Sequence, residues 1–153
     1  MERLFLIAHV AGRAVAIGAD QVESVVDIGT IVAVPRAGGH VRGLAALRSR
    51  VVTVIDTVAA LGMTGGQDAS RAVITRVDGH HYALLVDALD DVAPFVLQPL
   101  ASGVPLSEAW QRAGIGLVER DGEPILAIDL TALVPATPAQ QTRVRGRRQH
   151  LAL

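Results

Sequence analysis

Two aspartates, Asp56 and Asp129, stand at corresponding places in two similar stretches, Val54-Ile55-Asp56 and Ala127-Ile128-Asp129. Carboxylates donated symmetrically by two halves of a chain can share acid and base work or hold a cation. Each also stands where a side-chain oxygen would cap a helix start, with Ala59 and Ala132 matching inside the helices. Capping needs no cofactor. A small metal-dependent or ligand-binding enzyme using Asp56 and Asp129 is therefore the secondary expectation.

The remaining polar residues converge less well. His80 and His81 fall at the tip of an expected hairpin, and successive strand residues point to opposite faces, so joint metal ligation is not expected. His9 lies in a strand, His40 in a loop and His150 near the end, with no metal-site spacing. Asp90 and Asp91 follow an apolar strand containing Asp87 at its end and read as a solvated turn. Gly62 to Gly66 lacks the Lys-Ser/Thr ending of a nucleotide loop, and Gly38-Gly39 runs into His40 and Val41 rather than a helix start. Both read as hinges. No catalytic residue, metal or cofactor is expected.

The elements that carry these residues are β-rich. Half of the 153 residues are apolar but only 3% are aromatic, so Val, Leu, Ile and Ala must build the core. A net charge of −1 provides no global field for nucleic acid or an anionic membrane. Trp110, Tyr82, Phe5 and Phe95 are too few to form base-stacking platforms. The absence of cysteine suits a reducing, cytoplasmic setting. The apolar run Leu4 to Val10 reads as a strand, and no stretch is long enough to span a bilayer.

An internal repeat organises the chain. Residues 5–17 lie over 72–84, so that Gly12 meets Gly79 and Asp20 meets Asp87. Downstream, Gly43-Leu44 matches Gly116-Leu117 and Asp56 matches Asp129. Each half predicts a hairpin turning at glycine, then a second strand pair and a short helix. Halves of this size bury too little alone, so they should share apolar surface. The pattern predicts a first lobe over about 4–62, a connector within 62–70, and a second lobe over about 71–135. A loop is expected from Pro94 to Gly114, with a helical turn at Ser107 to Arg112, and a basic, solvated tail over 136–153.

The segment Gly43-Leu44-Ala45-Ala46-Leu47-Arg48-Ser49-Arg50-Val51-Val52-Thr53-Val54-Ile55-Asp56 resembles the central motif of the CheW-like coupling domains of bacterial chemotaxis. Tyr82 to Asp87 and Gly116-Leu117 resemble that family's later strands, and the likeness covers most of 4–135. It implies an all-β fold with short helices, two pseudo-repeated five-stranded small β-barrels packed together. It also implies a non-catalytic adaptor that couples the cytoplasmic tip of a chemoreceptor to the regulatory domain of the histidine kinase CheA. Such a protein would be cytoplasmic and join receptor arrays at the inner membrane through its partners. By position, the resemblance puts Arg48, Val22, Val25, Gly43 and Val92 at the receptor interface and leaves the kinase interface unassigned. This chain departs from the motif where Ser49 and Thr53 replace Gly and Pro, and where Glu23-Ser24-Val25 displaces a glutamate.

Overall fold

In the computed structural model, residues 1–35, 40–63, 70–100 and 106–135 are described. Gly38-Gly39, most of the expected connector and the 136–153 tail lie outside them. Ten strands form: β1 (Glu2–Val10), β2 (Arg13–Gly18), β3 (Ser24–Asp27), β4 (Val41–Leu47), β5 (Arg50–Ile55), β6 (Arg71–Val77), β7 (His80–Val86), β8 (Ala88–Val96), β9 (Gly114–Arg120) and β10 (Glu123–Ile128). Helices α1 (Thr57–Ala60) and α2 (Glu108–Ala113) are short.

The hairpins follow from turn chemistry. Ala11-Gly12, Asp78-Gly79 and Asp121-Gly122 take positive φ at both central positions, at 52° and 81°, 52° and 81°, and 53° and 82°. That is the mirror-image turn whose twist matches the strands it joins, and glycine at the second position keeps it cheap.

The strands sort into two five-stranded sheets, in the orders β8-β1-β2-β10-β9 and β3-β6-β7-β5-β4. This corrects the expected lobes over 4–62 and 71–135, because each sheet takes strands from both halves. The hairpin β1-β2 joins β9-β10 through a parallel pair that sets Val15 against Leu126. Its repeat mate β6-β7 joins β4-β5 through a second parallel pair, Thr53 against Tyr82. Parallel pairing demands a long crossover: between β2 and β10 the chain passes through the other sheet, and between β5 and β7 it passes through α1 and β6. Strands β3 and β8 are the crossing segments. Each binds the edge of the other half's hairpin, β3 along β6 and β8 along β1.

Both sheets curl on themselves. Past β3 the chain bridges β4 at Val32↔Leu44, and past β8 it bridges β9 at Gln98↔Leu117, so opposite edges of each sheet are linked. Gly43 and Gly116 make those approaches possible. A Cβ on Gly43 would stand 2.3 Å from the Val32 carbonyl oxygen, and one on Gly116 would stand 2.5 Å from that of Gln98.

Three cores result. Phe5, Ile7, Ala16, Val118, Ile125 and Ala127 fill the first sheet's concave side. Val52, Val54, Ala72, Ile74, Ala83 and Leu85 fill the second's. The largest lies between the sheets, where Leu6, Val15 and Ile17 meet Ile55, Val73, Tyr82 and Leu84, closed off by Trp110, Leu130 and Leu133. Strands β1, β2 and β7 are therefore buried on both faces, which explains their near-continuous apolar runs.

The expected loop from Pro94 to Gly114 is shorter than predicted. Strand β8 continues to Val96, since Pro94 sits on an edge strand where a missing amide donor is tolerated. Helix α2 forms where the helical turn is expected, with Ser107 Oγ accepting from the Trp110 amide at 3.3 Å.

Candidate functional site

The two aspartates act as caps. Asp56 Oδ1 accepts the Ala59 amide at 3.1 Å, and Asp129 Oδ1 accepts the Thr131 amide and hydroxyl at 3.0 and 2.8 Å. Gln21 adds a second tie, donating to Asp129 at 2.7 Å while its carbonyl oxygen accepts the Leu130 amide at 2.9 Å. Burial pushes the Asp129 carboxyl up, but the bonds from Gln21 and Thr131 outweigh it and hold the group below the usual aspartate range. A depressed carboxyl stabilises the fold above its unfolded-state pKa, about 3.9, and that contribution is lost as pH falls through the lower folded value. Asp129→Ala should thus cost about 1 kcal/mol near neutral pH, with the deficit shrinking in acid, as urea unfolding at pH 7 and pH 2.5 would read.

Two histidines, His9 and His81, are held by carboxylates. His9 Nε2 lies 3.0 Å from Asp90, whose other partner is Arg120 Nη1 at 2.9 Å. Bonds from His9 and Arg120 lower the Asp90 carboxyl. This clasp joins β1, β8 and β9 and so ties the two edges of the first sheet, which corrects the reading of Asp90 as a free turn residue. Asp87 accepts the Ala11 amide at 2.6 Å. In the other sheet Glu23 takes the corresponding place, separated from Asp90 by the same spacing as Gly12 from Gly79. Its Oε1 meets Arg50 at 3.3 Å and His81 at 3.1 Å. His80 is exposed. Among the described residues no group of three or more histidine or acidic side chains could hold a metal ion.

What the surface does offer is an apolar border around the shared core. In an antiparallel pair, opposed residues share a face. Val25 on β3 opposes Val73, and Val92 on β8 opposes Leu6; Val73 and Leu6 both belong to the inter-sheet core. Val25 and Val92 therefore continue that core outward, from opposite sheets, and remain 40% and 52% exposed. Val22 is half-buried against the same core and lines a cleft of about 310 Å³ with Gln21, Thr75 and Thr131. Leu4, Pro94 and Val96 extend the border, Leu4 opposing Pro94 and Val96 opposing Glu2. Leu4 is 54% and Val96 46% exposed. These three are absent from the residues singled out by sequence, although the alternation Val92-x-Pro94-x-Val96 carries the signal.

Arg48 stands at the tip of the β4-β5 hairpin, exposed and at φ 56°. Ser49 lacks the positive φ that glycine would take there, so this turn differs from the other three. Two residues on, Arg50 reaches Glu23, the neighbour of Val22, which sets the Arg48 hairpin at the Val22–Val25 end of its sheet. Gly43 is different. It is buried under Val32 and has no side chain to present.

The family model for the CheW-like domain matches residues 4–137. The chain belongs to the CheW-like domain family. A chemotaxis protein CheW from Thermotoga maritima is 25% identical over 123 residues, covering 80% of this chain and 81% of its own. The crystal structure of the scaffolding protein TtCheW from Thermoanaerobacter tengcongensis has a TM-score of 0.77 at 21% identity, covering 90% of this chain and 95% of that one. That likeness shows the shared fold. Family membership makes this CheW-like chain a non-catalytic chemotaxis scaffold, and it displaces the enzyme reading of Asp56 and Asp129.

Proposed function

We propose that this protein couples the cytoplasmic tip of a chemoreceptor to the regulatory domain of the histidine kinase CheA. The observation that carries the reading is the exposed apolar border, in which Val25 and Val92 continue one core outward from two different sheets. A surface of this kind takes one face of an amphipathic helix, and the receptor tip supplies helices. Val22, Val25 and Val92 form the apolar part of the receptor interface. Arg48 contributes directed donors at its end, a task suited to a guanidinium. Gly43 acts from below, by letting the chain at Val32 close over β4. The protein works in the cytoplasm and reaches receptor arrays at the inner membrane through these partners. No helix among the described residues is long and apolar enough to cross a membrane.

Arg48 also provides a test that separates binding from folding. A non-glycine residue at φ 56° carries backbone strain of about 1 kcal/mol, so Arg48→Gly should raise stability by that amount. The same change should weaken binding of a receptor-tip fragment about tenfold, and Val92→Glu should weaken it further by burying a charge against apolar contacts. Calorimetric titration alongside thermal melts reads both effects. Unchanged affinity in both variants would remove the border from the interface.

A further inference from the structure

A second concave surface lies away from that border, on the first sheet's outer side. It is a groove of about 680 Å³ with a floor of Leu106, Trp110, Leu117, Pro124 and Leu126. Glu119 opposes Pro124 and so shares the floor's face, while Asp121 and Glu123 stand at its rim. These three acids are exposed and form no ion pair among the described residues. The groove's two arginines are already engaged. Arg13 lies over the Trp110 ring at 5.0 Å, and Arg120 is held by Asp90. An apolar floor beneath unpaired carboxylates suits a segment carrying both arginines and aliphatic side chains.

We propose that the occupant is residues 143–153 of this same chain. That stretch reads Arg-Val-Arg-Gly-Arg-Arg-Gln-His-Leu-Ala-Leu, and it lies in the part of the sequence that holds no acid, all fifteen acidic residues standing at or before Asp129. The exit point fits. Leu133 is buried in the shared core, and the turn Leu130–Ala132 packs on α2, whose Trp110 forms the groove floor. From Pro135, residues 136–142 can span roughly 24 Å, more than twice the roughly 9 Å length of a six-residue helix such as α2. The arginines meet Glu119, Asp121 and Glu123, and Leu151 and Leu153 cover the floor.

The chain has no cysteine, so a pair can be introduced cleanly. The full chain carrying Glu123→Cys with Gln149→Cys is oxidised mildly beside a control pairing Asp27→Cys, on the other sheet, with Gln149→Cys. The groove pair should close its intramolecular disulfide at least tenfold faster. That advantage should fall away when Arg143, Arg145, Arg147 and Arg148 are all replaced by glutamine, and should shrink at high salt. Emission of Trp110, the chain's single tryptophan, should differ between the native full chain and the four-glutamine variant. Equal closure rates in the two pairs, or an advantage untouched by both arginine replacement and salt, would overturn the proposal and leave the groove to a separate partner.

Discussion

Gly43→Val should unfold the protein at temperatures where the native chain is stable. The Cβ it adds would stand 2.3 Å from the Val32 carbonyl oxygen and 2.8 Å from Ile31 Cγ2, on a residue whose φ is +154°. A backbone oxygen cannot rotate away as a side chain can. The edge formed by Val32 must therefore lift off β4, opening the second sheet where its two edges are linked. Overpacking combined with a backbone conformation closed to L side chains should cost on the order of 4 kcal/mol. Gly116→Val should behave alike in the other sheet, against the Gln98 carbonyl oxygen and Leu97. Gly29→Ala is the control, since nothing lies within 4 Å of its added Cβ, and it should shift the denaturation midpoint little. Equal stability for Gly43→Val and the native chain would mean that the Val32 bridge is dispensable.

Leu84→Ala should weaken both sheets at once. Leu84 is 1% exposed, lies in the inter-sheet core and pairs with Ile55 on one side and Val73 on the other. Removing its side chain leaves a cavity that fixed β-branched neighbours cannot fill, with an expected loss of about 3 kcal/mol. For a domain of this size that is a fall of roughly 10 °C in Tm. Because the core is shared and the strands are interleaved, the loss should be global. Hydrogen exchange should show the amides of Phe5 to Ile7 and those of Val52 to Val54 losing protection together. Protection lost only in the second sheet would mean that the sheets fold independently.

The local features were legible because local chemistry determines them. Gly12 and Gly79 mark tight hairpins, Asp56 and Asp129 mark caps, and the repeat exposes the equivalence of Gly43 and Gly116. Pairing between hairpins was not legible. β1-β2 and β6-β7 carry the same near-continuous apolar runs about a glycine turn, so nothing along the chain tells β4-β5 which of them to join. Equivalence of pattern permits either partner, and the fold takes the exchanged arrangement. Strand β8 was cut short because Pro94 reads as a breaker until its edge position is known. The interface was hardest to see, since a valine that continues a core outward has the same sequence signature as one inside it. Only register distinguishes Val92, opposite Leu6 and half exposed, from Val73, fully buried.

In the proposed coupling role, one non-catalytic body holds two partners at once. Its most direct test is calorimetric titration of the full chain with the regulatory domain of its own organism's CheA-type kinase, repeated with the protein already saturated by a receptor-tip fragment. Coupling predicts micromolar or tighter kinase binding that survives in the receptor-saturated protein, while Val92→Glu weakens the receptor step and spares the kinase step. Failure to bind either partner, or binding of one only after release of the other, would contradict it.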